Sequence, residues 1–166
     1  TAEDFEYAWK WVLDPETPDT DYAYQLYPIK NAEDAKENDG SLDDVGITVE
    51  DDHTLVVELE QPTEYFLELT AFYTFYPINE EVASDNEDWA TDAGEDYVTN
   101  GPFTLESWDH KDNIVVEKNE DYWDADTVKL ETITMHMVDD ENTALQMYES
   151  DDLDWIGDPV DSVPLA

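Results

Sequence analysis

TNGPFTLESWDHKDNIVVEKNEDYW, residues 99–123, carries the densest run of local structural signals in the chain and reads as a β-hairpin with a capped exit. Phe103 and Leu105 alternate with Thr104 and Glu106, and Ile114 and Val116 alternate with Val115 and Glu117. That is the period-2 pattern of half-buried strands. Between them lies Asp109-His110-Lys111-Asp112-Asn113, a polar run suited to a turn and not to a core. Asn100-Gly101-Pro102 precedes the first strand, with Gly101 expected at positive φ and Pro102 unable to donate to a ladder.

Upstream of the hairpin, Thr1 is an N-cap candidate with Asp4 three residues on, and Phe5, Ala8, Trp9 and Val12 recur at helical spacing until Pro15. Asn31 to Glu37 allows a short helix before Asp39-Gly40. Val45, Ile47 and Val49 pair with Leu55, Val57 and Leu59 across Asp51-Asp52-His53-Thr54 as a second hairpin. Pro62-Thr63 introduces an expected helix from Glu64 to Phe72, followed by an extended aromatic segment, Phe72 to Pro77. Asn79 caps a short helix, and the polar run from Asp85 to Asp96 is the linker candidate. Downstream, Leu130 to Val138 reads as a strand with Ile133, Met135 and Met137 on one face. Asp140 to Glu149 reads as a helix and Leu153 to Ile156 as a further strand, an order that suggests a βαβ unit. The expected class is α+β or α/β, with mixed β-sheets and flanking helices.

Charge is the anomaly in the composition. The 166 residues hold 46 Asp and Glu against 6 Lys, with no Arg, for a net charge of −40. On the roughly 8,400 Å² that a globule of this mass exposes, the acids sit about 13 Å apart, near the Debye length at about 0.1 M salt. Neighbours repel at ordinary ionic strength, and the sequence looks built for high salt. The same field disfavours nucleic acid and anionic membranes as partners. A 13% aromatic content excludes an acidic disordered tail. There is no cysteine, hence no disulfide and no thiolate metal site. No apolar run reaches the length of a membrane span, and an export signal, if there is one, is expected upstream of Thr1.

Catalysis finds no footing. Carboxylate pairs are uninformative where acids are this dense. The loop ending at Gly40 has Ala35 where an EF-hand needs its first acid, and Gly46 where it needs the bidentate Glu. No metal ligands, cofactor or catalytic residues are therefore assigned. His53 and His110 fall in turns and His136 on a sheet surface, with no Ser-His-Asp arrangement around them. Trp9, Trp11, Tyr65, Phe66, Trp108 and Trp123 occupy periodic or strand-end positions expected in a core.

Three blocks resemble one family. Thr99-Asn100-Gly101-Pro102-Phe103-Thr104-Leu105 with Trp108, Val116-Glu117-Lys118-Asn119 and Tyr122-Trp123 is the first. Thr1-Ala2-Glu3-Asp4-Phe5 with Tyr7-Ala8-Trp9-Lys10, and Asp51-Asp52-His53-Thr54-Leu55 with Pro62 and Tyr65-Phe66, are the others. In this order they resemble the solute-binding proteins of peptide ABC transporters, the oligopeptide- and dipeptide-binding family. The resemblance implies a non-enzymatic, two-lobed periplasmic-binding-protein-like fold that closes around an extended peptide, without a cofactor. It implies a membrane permease as partner and an extracellular, cell-surface or periplasmic location.

Family members are much longer, so this chain is expected to be an internal fragment: residues 1–90 as the accessory lobe and 91–166 as part of the first ligand-binding lobe. Tyr22 in Asp21-Tyr22-Ala23-Tyr24 falls where the family's cleft tyrosine stands, with core packing the alternative. Gly157 and Asp158, after Trp155-Ile156, fall at the family's cleft edge, with a plain turn the alternative. Two other functions remain open on composition: an acidic protein that sequesters cations or mimics nucleic acid, and a glycosidase accessory module.

Overall fold

The computed structural model describes residues 1–86 and 88–156. The chain divides into two compact units, Thr1–Glu87 and Asp88–Ala166.

The first unit is built on α1 (Ala2–Leu13). Asp4 accepts from the Thr1 hydroxyl at 2.9 Å, acids occupy the first turn, and Lys10 sits in the last. Each charge opposes the helix dipole at its own end. The helix buries Ala8, Trp9 and Leu13 against β1 (Ile47–Asp51) and β2 (Thr54–Val57), an antiparallel pair that turns at Asp52-His53. α2 (Ala32–Glu37) adds Ala32 and Ala35, and Leu26, Ile29, Val45, Phe66 and Phe75 complete the core. The Trp9 indole N–H donates to the Phe75 carbonyl at 2.9 Å, and the two rings meet edge to face at 5.3 Å. Trp9 is thereby both core filler and cross-link.

Local signals held at the caps and hairpins. They failed between residues 64 and 77, where the expected nine-residue helix is only α3 (Phe66–Leu69). The Thr70 hydroxyl donates back to the Leu67 carbonyl at 2.8 Å, a competing bond at the point where the helix ends. The aromatic segment that follows is not extended either. It coils into a 3-10 turn over Tyr73–Phe75 because Phe75 must point inward to meet Trp9, and it is only 1% exposed. α4 (Glu80–Asp85) follows with Asn79 as its cap, the Asn79 side chain accepting from the Val82 amide.

The second unit holds an antiparallel sheet ordered β3 (Phe103–Asp109), β4 (Asn113–Lys118), β5 (Thr132–His136). A bulge at Glu106 moves the register so that Leu105 opposes Val116 and Trp108 opposes Ile114. Both then share a face with Ile133 and Met135 of β5. Without the extra residue, strict alternation would have sent Trp108 to the polar face.

Asn119 closes the hairpin, its side-chain amide donating to the Gly101 carbonyl at 2.8 Å and its backbone amide to the Pro102 carbonyl at 2.9 Å. It is the only buried side chain among this unit's described residues. Gly101 is not at positive φ, and no described glycine is. The left-handed positions belong to Asp19, Asn31, Asp39, Lys111 and Asp151. α5 (Glu141–Glu149) is capped by Asp140, which accepts from the Thr143 amide at 2.8 Å.

The βαβ unit does not form among the described residues. β5 runs antiparallel to β4, and Leu153–Ile156 makes no strand. The fold is therefore mixed α+β, with small antiparallel sheets and helices.

Candidate functional site

The described residues of the first unit bring four aromatic rings from two distant stretches to one exposed patch. Tyr22 lies 5.3 Å from Phe72, 5.6 Å from Tyr73 and 6.1 Å from Tyr24, ring centre to ring centre. Phe72 and Tyr73 are 4.3 Å apart. The patch is set by what its neighbours bury. Ala23 and Leu26 anchor the 3-10 turn Ala23–Leu26 in the core and leave Tyr22 and Tyr24 outward, 43% and 53% exposed. Phe75 anchors the other turn and leaves Tyr73 outward.

Burial first, and then the neighbouring Tyr22 hydroxyl, push the Tyr73 phenol above its ordinary value. The Tyr73 hydroxyl is thus kept as a donor through the neutral range. Aromatic faces with polar tips at a half-wet surface can stack on apolar or cationic groups while hydrogen-bonding a peptide unit.

Tyr22 is thus neither core nor isolated. Tyr24, Phe72 and Tyr73 join it only through the fold, which local sequence does not show. The repeated aromatics of Asp21-Tyr22-Ala23-Tyr24 and Phe72-Tyr73-Thr74-Phe75-Tyr76 were the available signal. Gly157 and Asp158 lie outside the described residues. Among the aromatics expected in a core, Trp9 and Phe66 are buried, whereas Trp11, Tyr65 and Trp123 are exposed. Trp11 follows Trp9 by two positions and so faces the opposite side of α1.

Elsewhere several polar groups are already engaged, while the buried Trp108 indole N–H has no hydrogen-bond partner among the described residues. A polar cleft of about 350 Å³ is lined by Lys30, Asn31, Asp34, Gly40, Ser41 and Asp44. The Lys30 ammonium there is held by both Glu58 oxygens at 2.9 Å, and the Asn31 side-chain amide donates to the Asp44 carbonyl at 2.7 Å. Tyr27, pushed up to about 12 by burial and by its bond to Glu37, is a fixed donor to that carboxylate. In the second unit His110 stacks on Trp108 at 4.6 Å and reaches Asp92 at 3.3 Å, the solvated turn position expected of it.

Comparison with known proteins decides the family. The profile of the bacterial extracellular solute-binding proteins, family 5 Middle, matches residues 1–166. This chain belongs to that family. It is 54% identical over 164 residues to the oligopeptide-binding protein OppA of Bacillus subtilis, covering 99% of this chain and 30% of that protein. It is 45% identical over 154 residues to the dipeptide-binding protein DppE of the same organism, covering 93% and 28%. Among solved structures, Listeria monocytogenes OppA bound to peptide matches with a TM-score of 0.85 at 37% identity, over 93% of this chain and 30% of that one.

The family 5 member described here thus spans about 30% of the relatives it matches. These relatives are solute-binding transport proteins, not enzymes. Among the described residues no helix is long and apolar enough to cross a membrane.

Proposed function

We propose that this chain is part of the substrate-binding component of an ABC transporter, which captures extracellular oligopeptides for import. In this reading residues 1–90 form the accessory lobe and 91–166 part of the first ligand-binding lobe, the rest of the cleft coming from chain outside these residues. Tyr22 meets the bound peptide, and Gly157 and Asp158 contribute contacts to it. The whole protein sits at the cell surface or in the periplasm, as a lipoprotein where it is anchored, and delivers its cargo to a membrane permease. Its acidity is an adaptation to concentrated salt.

The observation that carries the reading is the exposed cluster of Tyr22, Tyr24, Phe72 and Tyr73 in a member of a peptide-binding family. Such a patch suits a ligand whose backbone is constant and whose side chains vary, because stacking tolerates many shapes while phenols supply hydrogen bonds. Calorimetry with an equimolar pool of random tetrapeptides tests it. The full-length protein should bind with a micromolar constant, about −8 kcal/mol, and residues 1–166 alone no more tightly than about millimolar, roughly −4 kcal/mol. Tyr22→Ala in the full-length protein should weaken binding at least about tenfold. Absence of peptide binding by the full-length protein would refute the reading.

A further inference from the structure

Among six lysines facing 46 acids, Lys36 is unusual in spending its ammonium on neutral oxygens. It sits half-buried on α2, and its Nζ donates to the Asp14 carbonyl at 2.8 Å and to the Thr20 hydroxyl at 2.6 Å. No ion pair to it is found among the described residues. Asp14 is the C-cap of α1, and Thr20 opens the turn that carries Tyr22.

That turn is well defined. The Ala23 amide donates to the Thr20 carbonyl at 3.0 Å, and Tyr22 has φ −98° and ψ 11°, the third position of a type I turn. Fixing Thr20 therefore fixes the direction in which Tyr22 leaves the backbone. The preceding stretch from Pro15 to Asp19 holds two prolines and a left-handed Asp19 and contributes no buried side chain of its own. Burial of Ala23 holds the end of this turn, and the Lys36 contacts are the side-chain hydrogen bonds that tie its start to α1 and α2.

The geometry points to Lys36 as the positioning residue of the ligand site: it clamps the Thr20–Ala23 turn to the end of α1 and so pre-organises Tyr22 within the aromatic cluster. The inference rests on the proposal that Tyr22 touches the peptide. Lys36 itself touches no ligand. Releasing the clamp returns motion to Tyr22 that binding must then freeze, a cost worth about threefold to tenfold in affinity for one side chain.

The test is a double-mutant cycle in the full-length protein, read by calorimetry with the random tetrapeptide pool. Lys36→Met, which keeps the stem and removes the donors, should weaken binding about threefold to tenfold, with Lys36→Arg restoring most of it. In a Tyr22→Ala background Lys36→Met should change affinity by less than about 1.5-fold, because the residue through which it acts is gone. Thr20→Val, which leaves Lys36 on the Asp14 carbonyl, should move affinity the same way by a smaller factor and carries the test if Lys36→Met does not fold.

A purely structural lysine would lower the melting temperature in both backgrounds and leave affinity alone. Unchanged affinity on Lys36→Met, or an equal loss with and without Tyr22, overturns the inference while the peptide-binding reading stands. Full affinity in Tyr22→Ala alone overturns both this and the placement of Tyr22 at the ligand.

Discussion

Gly46→Ala is predicted to destabilise the first unit although the residue lies at no left-handed position. Gly46 is threaded between two segments: its amide donates to the Lys30 carbonyl at 2.8 Å, its carbonyl accepts from the Glu58 amide at 2.8 Å, and Lys30 and Glu58 bond each other at 2.9 Å. A Cβ on Gly46 would stand 2.6 Å from the Glu58 carbonyl oxygen and 2.9 Å from the Lys30 Cβ. The nearest of these is backbone, which cannot swing aside, so relief must stretch the hydrogen bonds that join the three segments. Overpacking of this kind costs about 1–3 kcal/mol. Gly→Ala also restricts the unfolded chain, a gain of about 0.4–1 kcal/mol that acts against the loss.

The net expectation is about 1–2 kcal/mol, or roughly 4–16 °C in the melting temperature of a unit this size. Gly94→Ala is the internal control, since a Cβ there meets nothing within 4 Å. Urea unfolding followed by hydrogen exchange at the Ile47 and Glu58 amides reports on this unit alone. If Gly46→Ala and Gly94→Ala unfold at the same urea concentration, the steric reasoning is wrong.

Two further outcomes follow from charge. The 46 acids share 11943 Å² of accessible surface, about 260 Å² each, so they lie about 16 Å apart, beyond the Debye length of about 10 Å at about 0.1 M salt, where each pair repels only weakly but the many pairs add up, and that sum is gone at about 2 M. The melting temperature should rise by at least about 10 °C over that range of potassium chloride, and a flat midpoint would refute adaptation to salt. The Asp140 cap should show the opposite pH trend from the general repulsion, which acid relieves. Hydrogen bonds from the Thr143 side chain and then its amide hold the Asp140 carboxyl below its usual value. The cap therefore acts fully above about pH 4 and is lost as pH falls through that lowered value. The Thr143 amide shift should follow this loss in the natural sequence and stay flat in Asp140→Asn, and identical titrations would exclude it.

Sequence alone determined what is settled within a few residues: the Thr1–Asp4 and Asn79 caps, the two hairpins, the polar turns and the acidic surface. These rest on local hydrogen bonds, alternation and counting, and the three family blocks lie in the same stretches. The tertiary structure decided everything that depends on two segments meeting. The Glu106 bulge cannot be read from alternation, since only pairing with β4 shows which face Trp108 takes. Phe75 turns inward because Trp9, 66 positions earlier, offers an indole N–H to its carbonyl. Gly46 is required by a backbone crossing rather than by its own φ. Tyr22 gains Phe72 and Tyr73 as neighbours, and Lys36 reaches Thr20, only once the core has closed. Burial of apolar surface sets those encounters, and it acts without regard to distance along the chain.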